Sequence, residues 1–244
     1  MAKGIDCAQP LTLEKAKALA DLGYKFVCRY LVPERYAWKR LTRAEAEAIT
    51  AAGLQIVSVF ETTANRPAGG GPAGFLDGTE ALREAVSIGQ PVGTAIYFAV
   101  DFDASAKDYD AIEAYLRAAA GAIPGYRVGV YGEYDVIEEM ARRGAAKHFW
   151  QTYAWSGGKK SAKANIYQYK NGQTVAGHPV DLNESYGNEG WWNLNEKKQS
   201  QDGLSSWAKE AWKWVVEKGI SDGTRPKDPV TREEVWTMLY RALK

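Results

Sequence analysis

Eight short apolar runs, spaced through the first three-quarters of the chain, constrain the fold more than any other feature of the sequence. Helical patterns or turn-rich stretches separate them, an alternation typical of parallel strands that close into a barrel. We therefore expect an α/β chain with a (β/α)8 TIM-like barrel, followed by a small C-terminal all-α hairpin module. Most runs end in polar residues, which are Asp6, Arg29, Glu61, Asp101 with Asp103, Gln151, Gln168, and Asp181 with Asn183. Such barrels carry their chemistry at the carboxyl ends of the strands. These side chains are therefore predicted to line one open cavity, or bowl, at that end of the barrel.

Charge and hydropathy exclude several classes of partner. Apolar residues make up 45% of the chain, and the formal net charge is +1. A balanced charge gives no general attraction to nucleic acid or to anionic lipid, so we expect neither as a partner. No apolar run approaches the roughly 20 residues of a membrane helix, so we expect no membrane span. Met1-Ala2-Lys3 leads directly into a strand, which predicts synthesis without a signal peptide.

Cysteine, histidine and glycine patterns give no indication of a cofactor. Cys7 and Cys28 are too few for a disulfide framework, and we interpret them as buried free thiols rather than a bridge. His148 and His178 stand far apart without ligand spacing, so no metal or other cofactor is expected. The glycine run from Gly69 to Gly71 lacks the lysine of a phosphate-binding loop, and we interpret it as a flexible lid.

Acidic residues at the strand ends favour glycosidic chemistry. Asp101 and Asp103 alternate along one strand, so both are predicted to point into the barrel. Two close carboxylates separate one another's pKa values, leaving one as a proton donor and the other charged, as cleavage of a glycosidic bond requires. The alternative, a helix cap or a salt bridge, is about equally frequent for one such pair. Acids on separate strand ends favour catalysis, and the candidate catalytic residues are Asp6, Glu61, Asp101 and Asp103.

Aromatic rings and amides near the strand ends suit sugars, which have an apolar ring face and a rim of hydroxyls. The candidate substrate-binding residues are Gln9, Arg29, Tyr131, Gln151, Tyr153, Trp155, Gln168, Asp181 and Asn183. A strand aromatic belongs to the core more often than to a ligand site, because alternation turns only about half of them toward the barrel interior. Tyr153 and Trp155 are favoured most, since they share the parity of Gln151 and lie at or beyond the strand end.

The last quarter of the chain differs in pattern. We predict a barrel over residues 1–192, a polar linker over 193–203 and a helical hairpin over 204–244. Trp207, Trp214 and Val215 fall along one helix, and Thr231 with Glu234 is predicted to form a capping box on a second helix. About 40 residues bury little core alone, so the hairpin should dock on the barrel, pair with another copy or bind a surface. A homodimer is therefore one expectation.

The strand motifs carry a family resemblance. At Gly4-Ile5-Asp6-Cys7-Ala8-Gln9, Phe98-Ala99-Val100-Asp101-Phe102-Asp103 and Val180-Asp181-Leu182-Asn183, the chain resembles the glycoside-hydrolase-like domain family, a bacterial and phage group related to the family 25 lysozymes. The resemblance implies a barrel that cuts between N-acetylmuramic acid and N-acetylglucosamine, with Asp6, Asp101 and Asp181 matching the acids of those lysozymes. Asp103 stands where they carry a catalytic Glu one methylene longer, so either Glu61 or Asp103 is expected to donate the proton.

The C-terminal segment carries a second resemblance. Gly219-Ile220-Ser221-Asp222-Gly223, Pro226 and Thr231-Arg232-Glu233-Glu234 resemble one S-layer homology repeat, a module that attaches proteins to Gram-positive cell-wall polymers. A single copy implies weak anchoring, assembly of several chains or dimerisation through residues 204–244. Together the two resemblances imply a phage endolysin, made in the host cytoplasm without a signal peptide and acting at the cell wall after holin-type release.

Two functions of different class remain open from the sequence. The leading expectation is a muramidase-type glycosidase acting on peptidoglycan glycan strands, in which Glu61 or Asp103 protonates the leaving oxygen and Asp101 or Asp6 stabilises the developing positive charge. The alternative is a non-catalytic protein that binds peptidoglycan or a cell-wall polymer on a lysozyme-like barrel. An amidase or peptidase is disfavoured because the sequence offers no metal set and no nucleophile motif.

Overall fold

The computed structural model describes residues 1–195, 208–223 and 230–243. The chain separates into two compact units, Met1–Asn195 and Glu196–Lys244. Most of the predicted linker, together with Trp207 and Pro226 of the predicted hairpin, lies outside the described residues. Among the helices that are described, none is both long and apolar enough to cross a bilayer.

The first unit is a closed barrel of eight strands arranged in sequence order, as predicted. Its strands are β1 (Ala2–Asp6), β2 (Phe26–Tyr30), β3 (Gln55–Phe60), β4 (Ala95–Ala99), β5 (Arg127–Gly132), β6 (His148–Thr152), β7 (Ile166–Val175) and β8 (His178–Ser185). The helices that connect the first six strands are α1 (Leu13–Asp21), α2 (Arg43–Ala51), α3 (Gly70–Ile88), α4 (Tyr109–Ala122) and α5 (Tyr134–Arg143). The carboxyl ends of these strands therefore meet at one rim of the barrel.

The last strand departs from the predicted parallel arrangement. β8 pairs antiparallel with both β7 and β1, and a two-residue turn at Ala176 and Gly177 joins it to β7. Both turn residues have positive φ, 50° and 67°, as this tight hairpin requires. In the β1–β8 ladder Asp181 lies opposite Asp6, and Asn183 lies opposite Gly4. Because β8 runs from the rim inward, Asp181 is the residue nearer the rim and Asn183 lies deeper.

Strand alternation divides the apolar core into two layers. One cluster fills the barrel interior and comprises Phe26, Cys28, Val57, Val59, Ala95, Tyr97, Ala99, Tyr131, Trp150 and Ile166. The intervening strand residues, such as Val27, Ile56 and Ile96, pack in a larger cluster with the helices. Cys7 belongs to this outer cluster and Cys28 to the inner one, and both are buried free thiols as predicted.

Thr42 and Glu45 have the spacing of a capping box at the start of α2, but only the threonine side chain forms its cap contact. The Thr42 hydroxyl accepts a hydrogen bond from the Glu45 amide at 3.2 Å. The Glu45 carboxylate does not return this contact, because it accepts hydrogen bonds from the Arg29 side chain and the Leu11 amide instead. A buried guanidinium is a stronger partner for a buried carboxylate than a helix-end amide.

The glycine run expected to form a lid is helical, and α3 begins at Gly70. Farther along α3, a Cβ added at Gly74 would lie 2.1 Å from the carbonyl oxygen of Tyr115, and one added at Gly78 would lie 2.9 Å from that of Ala119. Both carbonyls belong to α4. These two glycines of α3 therefore allow close approach of two helices rather than mobility.

The segment before Asn195 closes the amino-terminal end of the barrel. The Trp191 ring packs 5.7 Å from that of Phe26, and the Tyr97 hydroxyl donates to the carbonyl of Glu189 at 2.7 Å. Trp192 is fully buried and forms an antiparallel bridge with Ile56. The opposite end, where the carboxyl ends of β1 to β6 lie, contains the cavity described below.

The second unit contains two described helices, α6 (Lys209–Glu217) and α7 (Arg232–Leu243). The predicted capping box is confirmed, since the Thr231 amide donates to the Glu234 carboxylate at 2.8 Å and the Glu234 amide donates to the Thr231 hydroxyl at 3.2 Å. The Trp212 indole donates to the carbonyl of Gly223 at 2.7 Å. The predicted helical character of this unit thus holds over its described residues.

Candidate active site

A cavity of about 130 Å³ opens at the carboxyl ends of the parallel strands. The lining residues are Asp6, Tyr30, Val59, Glu61, Ala99, Asp101, Tyr131, Trp150, Gln168, Asn171 and Asp181. Most of this lining is polar or aromatic, with little purely aliphatic surface.

Four of the predicted acids lie together in this cavity. Asp6 ends β1, Glu61 follows β3, Asp101 follows β4, and Asp181 comes from β8. The antiparallel register places Asp181 directly across from Asp6. Four carboxylates in one half-buried space oppose one another's ionisation, so the cluster retains protons at higher pH than isolated acids do.

Asp6 is the most deeply buried of the four acids. Its Oδ2 accepts hydrogen bonds from Asn183 Nδ2 at 2.7 Å and from Gln168 Nε2 at 2.8 Å. Burial, followed by the charge of Asp181, raises the pKa of Asp6 to about 7, although the two amides favour its ionised form. Because both amides donate to Oδ2, a bound proton belongs on Oδ1.

Hydroxyl and indole donors fix the orientation of these two amides. The oxygen of the Gln168 amide accepts from the Tyr131 hydroxyl at 2.9 Å and from a threonine hydroxyl of β6 at 2.8 Å. The oxygen of the Asn183 amide accepts from the Trp150 indole at 2.8 Å. With their oxygens engaged in this way, both amides must present their nitrogens to the buried carboxylate.

The other three carboxyl groups also have raised pKa values, and burial is the largest cause in each. The Lys39 ammonium lies 3.7 Å from Glu61 Oε1 and works against this rise at Glu61 and at Asp101. The Gly172 amide donates to Asp181 Oδ1 at 2.7 Å and works against it there. Within the described ranges, no group of three or more His, Cys, Asp or Glu side chains is arranged to hold a metal ion.

Several predicted site residues lie outside the cavity. Asp103 is exposed, because β4 ends at Ala99 and strand alternation does not extend to it. Arg29 is fully buried on the outer face of β2, where it pairs with Glu45. Gln151 is also fully buried on the outer face of its strand, and it accepts from the Ser161 amide. The structure therefore places these three side chains outside the lined cavity, because side-chain direction, rather than position near a strand end, decides what reaches the bowl.

Three further candidates are exposed beyond the lined cavity. Gln9 is exposed, and its carbonyl accepts a hydrogen bond from His178. Tyr153 and Trp155 are 44% and 47% exposed, and Trp155 has a φ of 55° that non-glycine residues rarely adopt. A role for Tyr153 and Trp155 in binding substrate stays a prediction.

The structure also brings in residues that were not among the candidates. Tyr30 and Trp150 line the cavity. Both occupy inward-facing positions of their strands, which the alternation of residues along each strand indicates from the sequence. Asn171 comes from β7, which has register shifts between Gln168 and Gln173 that break the alternation. Lys39 lies on the segment between β2 and α2, where no periodic pattern points to it.

Comparison with known proteins supports this description of the barrel. The model of the Rv2525c-like, glycoside hydrolase-like domain family matches residues 17–198. The chain belongs to this family. YbfG of Bacillus subtilis (strain 168) is 32% identical over 171 residues, which cover 60% of this chain and 22% of YbfG. The chain spans about a quarter of the length of the curated relatives that it matches.

Solved structures share the fold of this glycoside hydrolase-like domain. The Tat-secreted protein Rv2525c of Mycobacterium tuberculosis, in complex with L-tartrate, is 25% identical with a TM-score of 0.72, covering 78% of this chain and 98% of that chain. GHIP of Streptococcus pneumoniae, a glycosyl hydrolase 25, has a TM-score of 0.54 at 15% identity, covering 76% of this chain and 87% of that chain. The latter likeness is one of fold alone.

Proposed function

We propose that this chain is a glycoside hydrolase that cleaves the glycan strands of peptidoglycan in a muramidase-type reaction. The observation that carries the proposal is the cavity in which Asp6, Glu61, Asp101 and Asp181 converge, with the pKa of one acid raised to about 7. Hydrolysis of a glycosidic bond needs one carboxyl group that holds a proton and another that is charged. The family membership of the barrel agrees with this chemistry.

Asp6 is the proton donor in this proposal. Its raised pKa keeps a substantial fraction protonated near neutral pH, and its Oδ1 is free of the amide contacts that Oδ2 makes. As the C–O bond breaks, the leaving oxygen takes this proton together with the bonding electron pair. The Gln168 and Asn183 amides already donate to Oδ2 and stabilise the carboxylate that forms.

In this proposal Glu61 and Asp101, which follow β3 and β4 in the cavity lining, carry negative charge. Both receive the favourable field of Lys39, which supports their ionised forms. Charge in this position stabilises the oxocarbenium character of the transition state. A water molecule then adds to the anomeric carbon, and its proton passes through the carboxylate cluster to restore protonated Asp6.

The aromatic lining suits a sugar ring. Tyr30, Tyr131 and Trp150 line the cavity beside the acids. Their apolar faces match the apolar face of a pyranose, and the carboxylates match its hydroxyls. We propose that the exposed Tyr153 and Trp155 add further aromatic surface for the substrate.

Residues 204–244 are proposed to attach the protein to a Gram-positive cell-wall polymer, in the manner of an S-layer homology repeat. Helix α7 exposes the large apolar side chains of Trp236, Leu239 and Leu243, which are 63%, 53% and 86% exposed. We propose that the protein reaches the wall by release through a holin-type pore, as a phage endolysin does.

Reducing-end release from purified Gram-positive walls tests the proposed reaction. We expect release by the wild type and a loss of at least about 100-fold in Asp6→Asn and Glu61→Gln, because proton transfer and charge stabilisation are each worth this much or more. Asp103→Asn is the matched control, since it neutralises an acid outside the cavity and should retain activity. Equal rates in all four proteins would remove the proposal.

One observation favours a second function. The exposed position of Asp103 leaves the cavity without the second acid of an Asp-x-Glu pair on its fourth strand. A barrel that binds peptidoglycan without cutting it would have this property. Sedimentation with walls distinguishes the two, because binding with no new reducing ends would favour the non-catalytic function.

A further inference from the structure

Lys39 is a buried cation placed beside the acidic cavity. Its side chain is 7% exposed, and its Nζ lies 3.7 Å from Glu61 Oε1. The same nitrogen lies 4.5 Å from the ring centroid of Tyr30, 5.6 Å from that of Trp38 and 5.9 Å from that of Tyr36. Aromatic faces attract a cation, so three rings and one carboxylate stabilise this ammonium where water does not surround it.

Backbone contacts hold Lys39 in this position. Its carbonyl accepts a hydrogen bond from Arg29 Nη2 at 3.2 Å, and its amide donates to the carbonyl of Tyr36 at 3.0 Å. Arg29 is itself fixed by Glu45, with contacts of 2.6 Å and 3.1 Å. The buried Arg29–Glu45 ion pair on the outer face of β2 therefore supports the loop that carries Lys39.

The charge of Lys39 acts unequally on the four acids. It favours the ionised forms of Glu61 and Asp101, and of these two only Glu61 lies within ion-pair distance of the Lys39 ammonium. The charges that act most on Asp6 are the negative ones of Asp181 and Glu61, which favour its protonated form. The titratable groups that interact with Glu61 are Lys39, Asp6, Asp101, Tyr30 and Tyr131, from five different parts of the barrel rim.

We propose that Lys39 is a positioning residue that keeps Glu61 ionised, and that it thereby separates an anionic outer pair, Glu61 and Asp101, from a proton-holding Asp6. The geometry supports this division because the ammonium lies against Glu61 and is held there by the rings. The consequence for catalysis rests on the proposed glycosidase function, whereas the effect of Lys39 on the ionisation of Glu61 does not. Lys39 acts through Glu61 and is not among the residues that line the cavity.

Titration of the Glu61 side-chain carboxyl carbon by ¹³C NMR in the full chain tests the proposal. Lys39→Met removes the charge but keeps a side chain of similar length that packs against the rings. We expect the pKa of Glu61 to rise by about 1–3 units in this variant, the usual effect of one adjacent opposite charge. Lys39→Arg should restore most of the wild-type value, and Lys39→Gln gives a second neutral variant if the methionine form does not fold.

Lys160→Met is the matched control, because Lys160 also lies over tyrosine rings, 4.1 Å from Tyr186 and 4.8 Å from Tyr167, but away from the lined cavity. It should leave the pKa of Glu61 unchanged. In a reducing-end assay, the acid limb of the pH profile should move upward in Lys39→Met by the same amount as the pKa of Glu61. Lys39→Arg should return that limb toward the wild-type pH.

The outcomes separate this inference from the proposed function. An unchanged pKa of Glu61 in the folded neutral variants overturns the role of Lys39, whatever the activity. A raised pKa in a protein whose wild type releases no reducing ends supports the role of Lys39 and refutes the glycosidase. A raised pKa together with a shifted acid limb supports both.

Discussion

Replacing Asp6 by asparagine is expected to stabilise the protein at neutral and alkaline pH. The pKa of this carboxyl is about 7 in the folded chain, whereas its ordinary value is 3.8. Each unit of difference corresponds to about 1.4 kcal/mol, so the difference of about 3 units corresponds to about 4 kcal/mol. The asparagine carbonyl can accept the bonds of Gln168 and Asn183 that Oδ2 accepts, which keeps the local structure.

The sign follows from where the proton binds more tightly. Below pH 3.8 Asp6 is protonated in both the folded and the unfolded chain, so it contributes no penalty. As pH rises toward 7, the unfolded chain loses this proton first, and the free energy of unfolding falls. Above pH 7 both states are ionised, and the wild type has the full penalty. Asparagine titrates nowhere in this range, so the advantage of the variant should grow from near zero at pH 4 to about 4 kcal/mol at pH 8.

Urea unfolding followed by circular dichroism, at intervals between pH 4 and pH 8, measures this difference directly. Asp103→Asn is the control, since this exposed acid should change the free energy of unfolding by less than about 0.5 kcal/mol at every pH. A constant difference between Asp6→Asn and the wild type across this range would refute the reasoning. It would mean that Asp6 titrates alike in the folded and unfolded chain.

Two further variants, each with a matched control, test what holds the barrel together. Arg29→Met should lower the free energy of unfolding by about 3–5 kcal/mol, because it leaves the buried Glu45 charge unpaired, whereas Arg35→Met, at an exposed pair with Glu80, should cost less than about 1 kcal/mol. Urea denaturation of both measures this contrast, and similar costs would contradict it. Gly74→Ala should destabilise by about 1–3 kcal/mol, because its Cβ meets the backbone of Tyr115, whereas Gly121→Ala in open space should be neutral or stabilising by up to about 1 kcal/mol. Thermal unfolding of the Gly74→Ala and Gly121→Ala variants measures this contrast, and equal melting temperatures would contradict the close contact between α3 and α4.

The barrel and its acidic bowl follow from local patterns that the sequence carries. Short apolar runs predict strands wherever they fall, and a polar residue after such a run marks the rim of the barrel. Asp6, Glu61 and Asp101 were located on this basis alone. Asp181 follows the same rule, although it lies in the first half of β8, an antiparallel strand that runs inward from the rim.

The same rule does not predict the direction in which each side chain points. Arg29 and Gln151 stand near strand ends, yet their parity turns them outward, away from Tyr30 and Trp150 on the inner face. Parity would have corrected both, because neighbouring residues of one strand point to opposite faces. For Asp103 parity fails as well, since the chain leaves the strand conformation before reaching it.

The sequence by itself determined the strand and helix periods, the free thiols and which acids stand near the rim, because each depends on residues close together in the chain. Only the tertiary structure decided which polar groups meet. The antiparallel return of β8 sets Asp181 and Asn183 beside Asp6, and barrel closure brings Gln168 to the same carboxyl. Lys39 reaches Glu61 because a buried ion pair fixes its loop. Contacts between such distant residues set the pKa values of the cluster, and no period in the sequence encodes them.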